Sequence, residues 1–253
     1  MRAYELIKET YGRRPSIKVI HISWFVLYGV YYWLSLPDDV ALGRFVFIWA
    51  GVILPLALTS GIFGDDIASG RISVLVTKPF WMGKLYLYRL LGLSVQGTLH
   101  LLLARILCFV LPLLMGKKPP QDLALWFIAA WMLFNTWAAL STSLSVVMNR
   151  SYNTLLLLVS SLACFVVVLM LTDYLGLEAD SDWLLKLIRY TCPPFELLLT
   201  FAGGDRRLYS LFYGRLGLAQ NMACVLHSLV ITAAYSSIGI VLLGRRQFSR
   251  ARD

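Results

Sequence analysis

The sequence has few charged residues. Asp, Glu, Lys and Arg make up 15% of its 253 residues, whereas apolar residues make up 58%. An ordinary soluble domain is about one quarter charged and about 45–50% apolar. Because so few polar side chains can cover a surface in water, the composition excludes a disordered protein and a soluble nucleic-acid binder. It predicts an integral membrane protein with no nucleic-acid partner.

The sequence also has few cysteines and lacks a nucleotide-binding motif. The four cysteines include no C-x-x-C pair, which argues against a zinc site and a redox motif. Three of them, Cys108, Cys164 and Cys224, lie in apolar stretches that suit membrane packing and not a disulfide framework, and a Cys192–Cys224 bridge is the alternative. No G-x-x-x-x-G-K-[ST] phosphate-binding loop occurs in the sequence. We therefore predict that the chain is not an enzyme, has no catalytic residues and binds no metal or cofactor itself.

Apolar stretches approach the length that a transmembrane helix needs, which is about 20 residues. The short alternating segments of a membrane β-barrel are absent. We therefore predict an all-α, polytopic fold in which residues 1–253 form a single domain with six transmembrane helices. The predicted spans are residues 19–36, 45–63, 90–115, 123–147, 154–172 and 222–243.

The distribution of charge predicts the orientation. The net charge is +9, and the segments on the side of both termini hold 14 Lys and Arg against 5 Asp and Glu. The segments on the other side hold 8 basic against 9 acidic residues. Since basic residues favour the cytoplasmic side of a membrane, both termini are predicted to be cytoplasmic.

Two cytoplasmic segments have helical patterns. Residues 1–16 are predicted to lie at the membrane surface, with an amphipathic helix over 1–12; a disordered basic tail is the alternative. In the segment 64–85, Asp65 or Asp66 can cap a helix that Lys78-Pro79 must end. The helix has a polar face formed by Asp66, Ser69, Gly70, Ser73 and Thr77. It suits the docking of a soluble partner, and a plain interfacial turn is the alternative.

The exterior segment 173–221 is the longest predicted loop. Its apolar run after Cys192 is too short to cross a membrane and is broken by Pro193 and Pro194. We predict a re-entrant or interfacial hairpin there, which includes Glu196.

Three motifs follow one another from the second predicted span to the third. They are residues 65–73 (DDIASGRIS), 75–79 (LVTKP) and 86–92 (YLYRLLG). They resemble the acidic-x-x-x-Gly-x-hydrophobic-Ser stretch, the proline and the Arg/Lys-x-x-Gly motif of the membrane subunits of type-2 ATP-binding-cassette (ABC) exporters. The plan of the chain is also similar, with an interfacial N-terminal helix, six spans, a long exterior loop before the last span and an Arg-Arg-x-Phe ending at 245–248.

The resemblance implies a permease subunit of an ATP-driven exporter in the bacterial cytoplasmic (inner) membrane. Two such subunits, either two copies or two homologues, would face each other across a pathway. Each would rest on a separate ATPase subunit, which binds ATP and Mg. The helix over 66–78 would be the coupling helix, the 1–12 helix would make a second contact, and the hairpin would cap the pathway. The residues that would couple to the ATPase are Asp65, Asp66, Ser69, Gly70, Arg71 and Ser73.

Polar residues within the spans are functional candidates, because ionisable groups at bilayer depth are costly. Arg105 lies in the third span with Thr98 on the same face, while Gln96 and His100 form a second polar stripe. Asn135 in the fourth span is a candidate partner. We expect Arg105 to line the pathway or a dimer interface and to engage an anionic group; an arginine that extends outward or pairs internally is the alternative.

Two other functions fit parts of the sequence. A non-transporting membrane anchor would use the same coupling helix to link an ATPase to a periplasmic or accessory protein. An intramembrane serine protease needs a nucleophile motif within a span, and the nearest candidate, Ser69-Gly70, lies in a predicted cytoplasmic loop. An apolar pathway would admit amphipathic drugs, lipids, polyprenyl-linked sugars or peptides.

Overall fold

All regular secondary structure among the described residues is helical. The computed structural model describes residues 5, 8–9, 26, 29–30, 39–59, 61–72, 81–118, 123–166, 192–195, 198, 201–202 and 218–245. The helices are α1 (Asp39–Ile48), α2 (Leu54–Thr59), α3 (Ile62–Ala68), α4 (Met82–Leu114), α5 (Ala124–Val147), α6 (Arg150–Val166) and α7 (Leu218–Arg245), with a π-helical turn over Trp49–Ile53 between α1 and α2.

Four helical stretches are long and apolar enough to cross a membrane, which supports the prediction of a membrane protein. They are Leu42–Ala68, Met82–Leu114, Ala124–Val147 and Met222–Arg245. These stretches correspond to the second, third, fourth and sixth predicted spans. Helix α6 covers part of the fifth, and most of the first lies outside the described residues. Six spans therefore remain a prediction.

The contacts of α5 show the direction of each neighbouring helix. Going along α5, Trp126 packs on Phe47 and Ser145 bonds to Phe63, so the run from α1 to α3 is parallel to α5. Thr136 bonds to Thr232 and Ser143 to the Tyr235 carbonyl, so α7 is parallel as well.

Helices α4 and α6 run the other way. Tyr86, near the start of α4, bonds to Ser143 near the end of α5, whereas the later Thr98 bonds to the earlier Trp131, so α4 is antiparallel to α5. Helix α6 begins shortly after α5 ends, and its Asn153 bonds back to the Ser141 carbonyl, so α6 is antiparallel to α5 as well. Direction therefore alternates from α3 to α4, α5, α6 and α7. This is the order expected of helices that cross a membrane in turn.

The main hydrophobic core joins α1, α4 and α5 to residues near position 195. Phe195 packs on Phe47 with 5.2 Å between ring centroids, and both side chains are buried. Pro193 and Pro194 are buried too, whereas Glu196 lies outside the described residues. The segment thus packs at the end of the bundle where α1 and α5 begin, and the hairpin itself remains a prediction.

Candidate docking site

Helix α3 is fixed to α4 and α5 by its first turn. Its N-cap residue, Gly61, has no side chain that can accept a hydrogen bond. Ser145 of α5 supplies the acceptor, because the Phe63 N–H donates to the Ser145 Oγ at 3.3 Å. The buried Phe63 ring stacks on Tyr86 of α4, with 5.8 Å between centroids and 9° between planes. These contacts hold α3 against the end of the bundle where α4 begins and where α5 and α7 end.

The predicted start of this helix is wrong. Neither Asp65 nor Asp66 caps it, because α3 begins at Ile62 and includes both. The apolar pair Ile62-Phe63 packs against α4 and α5, which keeps the chain helical past the predicted end of the second span. Helix α3 ends at Ala68, and Gly70 follows with a φ of +67°, so the predicted helix over 66–78 is interrupted. Residues 73–80, including Ser73, lie outside the described part.

A buried ion pair connects α3 to α4. The Arg89 Nη2 donates to the Asp66 Oδ2 at 3.0 Å. Their side chains are only 1% and 3% exposed, respectively. Asp66 was predicted on the exposed polar face of its helix, and that prediction is wrong because the carboxylate turns inward to neutralise Arg89. Removing one member of a buried pair leaves a charge without compensation in a medium that solvates it poorly.

Glu9 lies at the same place. Its Oε1 lies 3.5 Å from the Arg71 Nη1, and its Oε2 lies 3.6 Å from the Arg89 Nη2. Glu9 and Asp66 are both acidic, and Arg71 and Arg89 are both basic, so the formal charges of these four residues balance. The ion pairs connect three chain segments that are far apart in sequence.

A hydroxyl network supports the site from inside the bundle. The Tyr86 hydroxyl lies 2.7 Å from the Ser143 Oγ and 3.1 Å from the Ala139 carbonyl oxygen. Ser143 in turn donates to the Tyr235 carbonyl of α7 at 2.6 Å or to the Ala139 carbonyl at 2.9 Å. Helices α4, α5 and α7 are thereby joined directly beneath Phe63.

The outer surface of the site is exposed. We name it the docking rim, and its members are Asp65, Ala68, Ser69, Gly70 and Arg71. The Ser69 hydroxyl donates to the Asp65 carbonyl at 2.7 Å, and the same carbonyl also accepts the Ser69 backbone N–H at 3.0 Å. The Arg71 side chain is 52% exposed. A polar, exposed turn therefore protrudes from a firmly packed base.

The predicted intramembrane residues do not form one cluster. His100 and Gln96 are buried on the inner face of α4, whereas Arg105 is exposed. Asn135 is half-buried and donates to the Trp131 carbonyl of its own helix at 2.7 Å. Because Thr98 lies beside Trp131 and the helices are antiparallel, Arg105 is level with the start of α5, about 16 Å along the axis from Asn135.

Within the part of the chain that the structure describes, no group of three or more His, Cys, Asp or Glu residues could hold a metal ion. Comparisons with protein-family models and with curated proteins find no match for this chain.

Residues that were given no coupling role in the sequence hold the site together, although Tyr86 and Arg89 belong to the 86–92 motif. Arg89 directly precedes the predicted third span, which begins at 90, yet it lies inside α4, which begins at Met82. Tyr86, Phe63 and Ser145 were not predicted to have a role in the site. One signal was available in principle, because an arginine followed closely by an apolar helix needs a counter-charge. That signal does not say which acidic residue supplies it.

Proposed function

We propose that the chain is the membrane-spanning permease subunit of an ATP-driven exporter of the type-2 ABC family. The docking rim would contact a separate ATPase subunit, which binds ATP and Mg. The proposal is carried by one observation: a polar turn is exposed while the helix that bears it is held by a buried ion pair, Asp66–Arg89. The motifs that resemble the family coincide with this turn and with its anchor on α4.

The mechanism follows from this rigid attachment. A partner that moves the docking rim also pulls on α4 through Arg89 and on α5 through Ser145. A packed helix does not stretch, so the displacement is passed to the bundle as a tilt of whole helices. Two facing subunits that tilt in this way would open a pathway alternately to the two sides of the membrane.

Association is tested first. The chain is expressed together with any ATPase that has a G-x-x-x-x-G-K-[ST] loop and is encoded beside its own gene, and the tagged permease is purified in detergent. We expect the ATPase to co-purify with the wild-type chain and not with an Arg71→Glu variant. A Lys84→Glu variant is the control, because it reverses an exposed charge outside the docking rim. Absence of the ATPase from the wild-type preparation would refute the proposal.

Transport is tested second, in vesicles that contain both proteins. A panel of amphipathic compounds, lipids, polyprenyl-linked sugars and peptides is screened for stimulation of ATP hydrolysis and for ATP-dependent movement across the membrane. Stimulation together with movement supports an exporter. A stable complex whose ATPase activity responds only to a periplasmic protein identifies the non-transporting anchor instead.

A further inference from the structure

We propose that Arg105 binds the phosphate of a phospholipid on the side of the membrane away from the docking rim, with an acyl chain of that lipid along the seam between α4 and α5. Two observations carry the proposal: the depth of Arg105 along α4 and the exposed apolar surface around it. The proposal concerns the chain in its membrane and does not depend on an ATPase.

The depth of Arg105 follows from the exposed side chains of α4. Lys84 and Arg105 are both exposed, and about 32 Å of helix separates them at 1.5 Å per residue. The hydrocarbon core of a bilayer is about 30 Å thick. The exposed positions between the two basic residues hold only leucine and valine: Leu87, Leu91, Val95, Leu99, Leu102 and Leu103. Lys84 and Arg105 therefore mark the two boundaries of the apolar core.

The neighbouring helices place the boundaries at the same levels. Arg150 at the start of α6 and Arg245 at the end of α7 are exposed, and both lie at the end of the bundle where α4 begins. At the other end, α5 begins level with Arg105, and α7 begins near that level because Thr136 bonds to Thr232. An arginine at such a boundary can extend its charged group to the lipid headgroups while its methylene groups stay in the apolar layer.

Helix α4 continues past this boundary to Leu114. One side of the continuation is covered by protein, since Cys108 and Leu111 pack in the same core as Phe195. A boundary at the next basic residue, Lys117, would make the distance from Lys84 about 50 Å, far more than the core of a bilayer. Arg105 is therefore the basic group that meets the headgroups on this side of α4.

The surface around Arg105 suits a ligand with an anionic head and an apolar tail. Leu102 on α4 and Ile128 and Trp131 on α5 are exposed along the seam between the two helices. The Trp131 Nε1 donates to the Thr98 Oγ1 at 2.9 Å, so the one donor of the indole is already used. Within the described ranges, Arg105 has no hydrogen bond or ion pair. The seam thus offers apolar contacts with a single unneutralised charge at its end.

A phospholipid supplies both parts of such a ligand. A guanidinium can donate two parallel N–H···O bonds to one phosphate, and its planar shape makes arginine well suited to this contact. The acyl chain would add apolar contacts along the seam, which a free phosphate cannot make. An exposed ion pair alone contributes little, at most about 1 kcal/mol. We therefore expect an anionic phospholipid to bind better than either of its parts.

The test uses the full chain, purified in a neutral detergent without lipid. The midpoint of thermal unfolding is recorded before and after phosphatidylglycerol is added. We expect the lipid to raise the midpoint of the wild type and to raise that of Arg105→Leu by less than half as much, whereas the two midpoints should agree without lipid. Arg105→Lys should keep part of the response. Lys118→Leu removes another exposed basic charge and should respond like the wild type.

Two further probes separate the parts of the ligand. Diacylglycerol with the same acyl chains lacks the phosphate, and glycerol phosphate lacks the chains, so neither should reproduce the response of the wild type. A full response to either probe, or equal responses to phosphatidylglycerol in the wild type and Arg105→Leu, would overturn the proposal.

Native mass spectra of the same preparations count the bound lipids directly. We expect Arg105→Leu to retain less phosphatidylglycerol than the wild type, and Lys118→Leu to retain as much. If Arg105→Leu instead separates a dimer into single chains and leaves lipid retention unchanged, Arg105 lies between two copies of the chain and the lipid assignment is wrong.

Discussion

The guanidinium of Arg89 lies 3.0 Å from the carboxylate of Asp66, although the two residues are 23 positions apart in the sequence. Both side chains are almost completely removed from solvent. The pair joins the last turn of the run from α1 to α3 to the first turns of α4. The position of the docking rim is therefore set by α4 and not only by the loop that carries the rim.

The first prediction concerns this pair. Asp66→Asn should destabilise the protein by about 3–5 kcal/mol, the usual cost of removing one member of a buried ion pair. Replacing both members with apolar residues, as in Asp66→Leu with Arg89→Met, should cost much less, because no buried charge remains. Unfolding midpoints in detergent would compare the variants.

Lys84→Met is the matched control for that series, since Lys84 is an exposed basic residue on the same helix. It should change the free energy of unfolding by no more than about 0.5 kcal/mol relative to the wild type. If Asp66→Asn behaves like Lys84→Met, the pair does not hold α3 in place.

The second prediction separates docking from folding with two equivalent glycines. Gly70 and Gly116 have the same φ of +67°, and no other atom lies within 4 Å of a Cβ placed on either. Tryptophan at either position should impose a similar backbone strain of about 1–2 kcal/mol. Only Gly70 belongs to the docking rim. We expect Gly70→Trp to weaken ATPase binding at least tenfold and Gly116→Trp to leave it unchanged, as measured by co-purification. Equal binding by both variants would contradict the docking assignment.

Much of the helix pattern was predictable because long apolar runs are needed to cross a membrane. The fourth span was predicted as 123–147, and α5 is Ala124–Val147. The Ser and Thr residues between positions 136 and 145 do not interrupt α5, because hydroxyls such as those of Thr136 and Ser143 donate to carbonyls one turn earlier in the helix. Such bonds satisfy polar side chains inside an apolar helix without help from the rest of the fold.

The docking site was less predictable because its key contacts are not periodic. Periodicity describes one helix at a time, whereas Asp66, Arg89 and Glu9 come from three segments. The third span was predicted to begin at 90, immediately after Arg89, because a charge normally marks the end of an apolar stretch. Helix α4 instead begins at Met82, and Asp66 neutralises the charge of Arg89 within the bundle.

The third prediction tests the close approach of α4 and α5. A Cβ on Gly97 would overlap the Cε1 of Phe134, which is fully buried. Gly97→Ala should therefore destabilise the protein by about 1–3 kcal/mol, as overpacked sites do. Adding Phe134→Leu should recover part of that loss. Gly244→Ala is the control, because that helical glycine has open space and should gain up to about 1 kcal/mol. A neutral Gly97→Ala in the thermal unfolding assay would contradict this packing.

The fourth prediction tests the hydroxyl network beneath the site. Tyr86→Phe removes the hydroxyl that contacts Ser143 and the Ala139 carbonyl, at an expected cost of about 0.5–1.5 kcal/mol. Tyr152→Phe should cost nothing measurable, because Tyr152 is 65% exposed. Chemical unfolding of both variants in the same detergent checks the difference, and equal stabilities would mean that the network does not stabilise the junction of α4, α5 and α7.

The fifth prediction concerns Arg105, which was expected to line a pathway or a dimer interface. Its side chain is exposed, and among the described residues it has no hydrogen bond or ion pair. Arg105→Leu should therefore leave the unfolding midpoint of the single chain nearly unchanged, as surface substitutions usually do. If Arg105 lines a pathway or a dimer interface, the same variant should lose transport or dimer formation, and Arg105→Lys should retain part of it. Lys118→Leu removes another exposed basic charge beyond the end of α4 and serves as the control. Normal transport by an intact Arg105→Leu complex would assign Arg105 to the surface and remove it from the pathway.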